Sequence, residues 1–72
     1  MVTINFRLSG AESVPLSIDA PRRLEEVVQQ CAIQAGVALG GYIAVRAGRV
    51  LAGETLVGGE DEIDIFPAIS GG

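Results

Sequence analysis

Few groups in these 72 residues are equipped for chemistry: one thiol, Cys31, five guanidinium groups, nine carboxylate side chains, and the backbone carboxylate of Gly72. There is no His, and all the basic residues are arginine (Arg7, Arg22, Arg23, Arg46 and Arg49). Without His the chain lacks the commonest proton shuttle and a frequent zinc ligand. A single Cys cannot close an internal disulfide. The acidic residues concentrate late, at Glu54, Glu60, Asp61, Glu62 and Asp64. Spread along one loop and strand, they read as a solvated acidic segment rather than as a metal or acid–base site. Their functional alternative is electrostatic steering toward a basic partner surface.

Two further features have bland and sharp readings. Cys31 lies on the apolar stripe of a helix pattern, where a thiol is expected to pack as a small hydrophobe rather than handle sulfur. The pairs Gly40-Gly41 and Gly58-Gly59 are not followed by the Lys of a phosphate loop and are expected to be turns. No catalytic residue and no metal ligand is therefore assigned, and the chain is not expected to be an enzyme on its own. What remains is the Gly72 carboxylate. Glycines at 71 and 72 have no Cβ, so the run Ser70-Gly71-Gly72 can thread a channel too narrow for side chains. Nothing after Pro67 has the composition to be held in a sheet, so residues 68–72 are expected to form a flexible C-terminal tail on a domain spanning 1–67.

Composition narrows the setting. The formal net charge of −4 argues against nucleic acid, which needs a positive field. One cysteine, no charged-then-apolar leader and no apolar run near about eighteen residues point to the cytoplasm and away from a membrane. The residues are 49% apolar, yet only Phe6, Phe66 and Tyr42 are aromatic, so the core must be aliphatic.

The elements that would position the tail follow from period. Val2, Ile4, Phe6 and Leu8 alternate with polar residues as a half-buried strand. Ser9-Gly10-Ala11-Glu12 is turn chemistry, and Val14, Leu16 and Ile18 resume the alternation to complete a hairpin. Pro15 places that second strand at a sheet edge or turns its N–H side toward solvent. Leu24, Val27, Val28, Cys31 and Ala35 then share one helical face, with Asp19 expected as cap, Pro21 in the first turn and Gly36 as the stop. Tyr42–Arg46 reads as a strand, Ala47-Gly48-Arg49 as a turn, Val50-Leu51 as a short return and Ala52–Glu62 as a loop. Ile63–Phe66 is the last strand, stopped by Pro67. This order, ββαβββ or ββαββ, predicts an α+β layer of sheet on helix with one sheet face uncovered. The first and last strands are expected side by side in its centre. With Ile63 and Ile65 buried, Asp64 and Phe66 face outward.

The order of elements, the stretch Asp61-Glu62-Ile63-Asp64-Ile65-Phe66-Pro67 and the ending Ser70-Gly71-Gly72 resemble the small subunit of molybdopterin synthase, within the ubiquitin-like β-grasp sulfur carriers that also include the thiamine-pathway carrier. The resemblance implies a β-grasp fold, a mixed four- or five-stranded sheet packed on one main helix. It implies that an E1-like adenylating enzyme joins Gly72 to AMP, using ATP and Mg of its own, and that a sulfur donor converts the acyl-adenylate to a thiocarboxylate. A large synthase subunit, or another sulfur acceptor enzyme, would then take the sulfur. The Phe66-Pro67 pair favours the molybdopterin (molybdenum cofactor) branch over the thiamine one. Leu56-Val57-Gly58-Gly59-Glu60-Asp61-Glu62 departs from the family's usual Leu-x-x-Gly-Asp-Glu by one additional residue. A ubiquitin-like covalent modifier would share the Gly-Gly ending, and a passive interaction module would use the sheet face without tail chemistry.

Ordering four or five tail residues costs roughly 1–2 kcal/mol each, whereas burying Ile69 returns only about 1.5–3 kcal/mol. The body must therefore bind too. The expected partner interface is Phe66 and Pro67, with Arg7 and Arg46 at its rim, and Ile69, Ser70 and Gly71 threading the tail.

Overall fold

The first strand, β1 (Val2–Arg7), forms where apolar and polar residues alternate, and it buries Val2, Ile4 and Phe6. The structure is a computed structural model describing residues 1–7, 11–37 and 39–68. The expected end of β1 at Leu8 lies outside those residues, as do Ile69, Ser70, Gly71 and Gly72. β2 (Ala11–Leu16) pairs antiparallel with β1, setting Ile4 against Val14 and Val2 against Leu16. It starts earlier than the sequence suggests: Ala11 and Glu12, expected in the turn, pair with Arg7 and Phe6. Ile18 falls beyond the strand and packs half-buried against the core. β2 is an edge strand, as Pro15 requires.

Asp19 and Pro21 do not start the helix. Arg22 and Arg23 are extended instead, as β3 (Arg22–Arg23), and α1 (Leu24–Ala35) begins after them with no side-chain cap. The reason is nonlocal. The N–H groups of Leu24 and Glu25 donate to the carbonyls of Thr55 and Gly53 at 2.8 and 2.9 Å, which satisfies two of the helix's orphan donors without a capping residue. Glu25 and Glu26 then lie in the first turn, where the helix dipole favours negative charge. At the other end Gly36 takes φ +69 and closes the helix as expected.

The segment Ala52–Glu62, expected to be a loop, contains β6 (Leu56–Val57), antiparallel to β3, and its Val57 belongs to the core. A two-residue strand is too short to register as a period. β4 (Tyr42–Arg46) and β5 (Arg49–Leu51) form a hairpin in which Arg46 pairs with Arg49. The intervening Ala47 and Gly48 have φ of +52 and +80, the signature of a type I′ turn. The final strand, β7 (Glu62–Pro67), is one residue longer at each end than expected, because Glu62 pairs with Thr3 and Pro67 with Tyr42.

The main sheet has the order β2-β1-β7-β4-β5, mixed because β1 and β7 run parallel and the other neighbours antiparallel. The first and last strands are thus adjacent at its centre. Ile4, Phe6, Ala44, Ile63 and Ile65 of the sheet join Leu24, Val27, Val28, Cys31 and Ala32 of α1 in one core. Among the described residues no helix is long and apolar enough to cross a membrane.

Ala47 is the one described non-glycine residue at positive φ, a region that costs an L-residue roughly 1 kcal/mol. Asn adopts it more readily and makes the favoured Asn-Gly turn. Ala47→Asn should therefore stabilise the protein by ~0.5–1 kcal/mol and raise Tm by about 2–8 °C in thermal unfolding; a lower Tm would contradict the turn geometry.

Candidate functional site: the open sheet face

Strand alternation assigns each side chain of β7 to one of two environments. Ile63 and Ile65 are fully buried toward α1, whereas Glu62, Asp64 and Phe66 point the other way, and Phe66 is 40% exposed. On β4 the same alternation buries Ala44 and turns Ile43 and Val45 outward. Cross-strand pairing places Ile43 opposite Phe66 and Val45 opposite Val50. An apolar patch of Ile43, Val45, Val50 and Phe66 therefore covers the β5-β4-β7 half of the open face. Val50, at 71% exposed, is its least covered member.

The other half is polar. Asn5 of β1 lies beside Asp64, and although it belongs to the open face it is almost fully buried by its neighbours. Its Nδ2 donates to Glu62 Oε2 at 2.9 Å and to Asp64 Oδ1 at 3.0 Å, and its Oδ1 accepts from Ser13 Oγ at 2.7 Å. Arg7 reaches Asp64 Oδ1 at 3.4 Å. The parallel register puts Arg7 one residue beyond the Phe6 and Ile65 pair, level with Phe66.

The structure thus brings Arg7 and Phe66 to the open face but not Pro67, which pairs with Tyr42 and has the parity of Ile63 and Ile65, nor Arg46. By alternation Arg46 shares the side of Tyr42 and Ala44, and its Nη1 donates to Asp61 Oδ2 at 3.0 Å. That carboxylate also accepts the Gly58 N–H at 3.0 Å, so Arg46 holds the 58–61 turn rather than the open face. The parity of Ala44, a small residue in a central strand, was the available signal. The Asn5 network escaped sequence reasoning, because it depends on the parallel pairing of strands at opposite ends of the chain.

Pro67 ends β7, and the Ala68 N–H donates to the Gly41 carbonyl at 3.1 Å. Ala68 is thus the last described residue before Ile69, Ser70, Gly71 and Gly72, and it leaves the sheet beside Gly41 at the Phe66 end of β7.

Other parts of the molecule offer less. The first two N–H donors of α1 are taken by the carbonyls of Thr55 and Gly53, and Glu25 and Glu26 in its first turn repel an anion there. A groove of about 500 Å³ along α1 is lined by Arg22, Glu26, Gln30 and Ile33, whose polar groups bond one another: Arg22 to Gln30 at 2.9 Å and to Glu26 at 3.6 Å. Among the described residues no group of three or more His, Cys, Asp or Glu side chains is arranged to hold a metal ion. Cys31 is buried in the core, and burial pushes its thiol up from the ordinary value, with Arg22 acting weakly in the opposite sense. No family model and no curated protein matches this chain.

Two outcomes follow from this partition. Ile65→Ala, on the core side, should cost about 2–5 kcal/mol in denaturant unfolding, and Phe66→Ala, its neighbour on the open side, about 1 kcal/mol. Equal losses would mean that Phe66 is part of the core. Cys31 should resist a disulfide-exchange reagent at pH 8 in the native protein and react at once in denaturant. Because its folded pKa is raised, its contribution to stability is complete below the ordinary thiol pKa of 9.0 and declines as pH rises from there toward the folded value. Fast native modification would refute this placement.

Proposed function

We propose that this protein is a β-grasp sulfur carrier that presents the Gly72 carboxylate to partner enzymes and docks them on its open sheet face. The observation that carries the reading is the position of β7. This central strand displays Phe66 outward and leads, through Pro67 and Ala68, directly into Ile69-Ser70-Gly71-Gly72. The ββαβββ order, apart from the short β3 and β6 pair, and the mixed five-stranded sheet on one helix are compatible with that family's fold.

In this reading the chain is a protein substrate, and the catalytic residues, ATP and Mg belong to the E1-like adenylating enzyme. A carboxylate is a poor electrophile until it gains a good leaving group. Joining Gly72 to AMP with loss of pyrophosphate supplies one; the terminal sulfur of a donor persulfide displaces the AMP to form an acyl disulfide, and a thiol cleaves its S–S bond, becoming a disulfide with the donor sulfur and leaving Gly72 as a thiocarboxylate. The large subunit of molybdopterin synthase is the acceptor that the Phe66-Pro67 ending favours. Residues 1–67 act as the docking domain, with Phe66 and Arg7 at the interface and Pro67 closing the strand, and residues 68–72 as the delivery tail threaded through Ile69, Ser70 and Gly71. The proposed setting is the cytoplasm.

The test is intact-mass spectrometry of the full chain incubated with its adenylating enzyme, ATP, Mg, a persulfide donor and a thiol reductant. The expected product carries one sulfur in place of one oxygen at Gly72, and deletion of Gly72 abolishes it. An unchanged mass in the complete system refutes the proposal. Isopeptide adducts on target lysines would instead identify a covalent modifier.

A further inference from the structure

The Glu62, Asp64 and Asn5 cluster has a property that sulfur carriage by the tail does not use. All the hydrogen-bonding groups of the Asn5 amide are engaged: two hydrogens by the carboxylates of Glu62 and Asp64, and the carbonyl by Ser13. The amide is therefore fixed in orientation, and it holds two like charges side by side without neutralising either. Arg7 answers only Asp64, at 3.4 Å and with both side chains well exposed, while Glu62 has no cation within ion-pair distance among the described residues. The fork adjoins the apolar patch of Ile43, Val45, Val50 and Phe66, where an interface places its charged rim.

We infer that the open face is built for a protein partner that sets an apolar patch against Phe66, Ile43 and Val50 and an arginine against the Glu62 and Asp64 fork. This rests on the docking role proposed above. Charge complementarity selects the partner: the chain carries a net charge of −4, and its open face offers two preset carboxylates against one engaged cation. A planar guanidinium suits paired carboxylate acceptors better than an ammonium does. A second copy carries the same net charge of −4, so charge complementarity favours a basic partner over self-association.

The experiment measures binding of the full chain to its E1-like adenylating enzyme at about 0.05 M and about 0.5 M salt, conditions that bracket strong and weak screening. Glu62→Gln and Asp64→Asn retain an oxygen acceptor for Asn5 and remove only charge. Each should weaken binding about two- to fivefold at low salt, and the double variant should lose most of the salt dependence. Glu62→Lys should lose more than about tenfold, and Glu54→Gln, outside the open face, should change nothing. Thermal unfolding of each variant checks that the fold is kept. A double variant that binds like the wild type while Phe66→Ala is weakened overturns the fork and leaves the docking face standing. Loss in neither, or no binding by the wild type, overturns both, and an equal loss in Glu54→Gln reduces the effect to net charge and overturns the fork.

Discussion

The parallel pairing of β1 with β7 is the constraint on which the rest of the structure depends. It joins segments at opposite ends of the chain, with Ile4 beside Ile63 and Phe6 beside Ile65. Once that register is set, alternation decides every other face. Ile63 and Ile65 go to the helix, and Glu62, Asp64 and Phe66 go outward. A slip of one residue would exchange the two sets. The register is held from both sides, by four large buried side chains on one and by the Asn5 amide on the other. An Asn5 displaced from its carboxylates would be a buried amide with unmade hydrogen bonds, at a cost of about 1–3 kcal/mol.

That centre also explains how so short a chain stands without a disulfide. The helix that covers the sheet begins without a capping side chain because the segment before β7 returns to meet it. The carbonyls of Gly53 and Thr55 take its first donors, and β6 pairs with β3. Val57 is carried into the core by the same excursion. Arg46 and Asp61 then fasten the following turn, so the connection is tied at both ends before β7 enters the sheet.

Where local chemistry determines structure, the sequence was sufficient. Pro15 restricts β2 to an edge, Gly36 ends α1 and Tyr42–Arg46 is a strand, each for a reason contained within a few residues. Reading the outward parity of Phe66 needed only the assumption that Ile63 and Ile65 are buried. The misplaced features depend on partners distant in sequence. The helix start moved from Asp19 and Pro21 to Leu24 because its acceptors lie some thirty residues later, at Gly53 and Thr55. The polar half of the open face needed Asn5 to be placed next to Asp64, which only the parallel pairing does. Arg46 was grouped with Phe66 although it lies on the other side of the sheet, because Ala44 is only a faint marker of the buried side in a strand of weak alternation.

The two faces of the sheet meet different physical requirements. The helix side is apolar where α1 covers it, with Arg46 paired to Asp61 only at its margin, and within that core a charge would cost far more than it returned. The open side can carry Glu62 and Asp64 because water reaches them, and their attraction for a cation is correspondingly modest. Such groups orient a partner better than they hold it. On the proposed function this matters, since threading a tail costs roughly 1–2 kcal/mol of backbone entropy per ordered residue, and one buried isoleucine does not offset four or five of them. The apolar patch must then supply most of the affinity and the fork the orientation. The fork and Phe66 stand on the strand that leads into the tail, so whatever fixes β7 against a partner also fixes where Gly72 can reach.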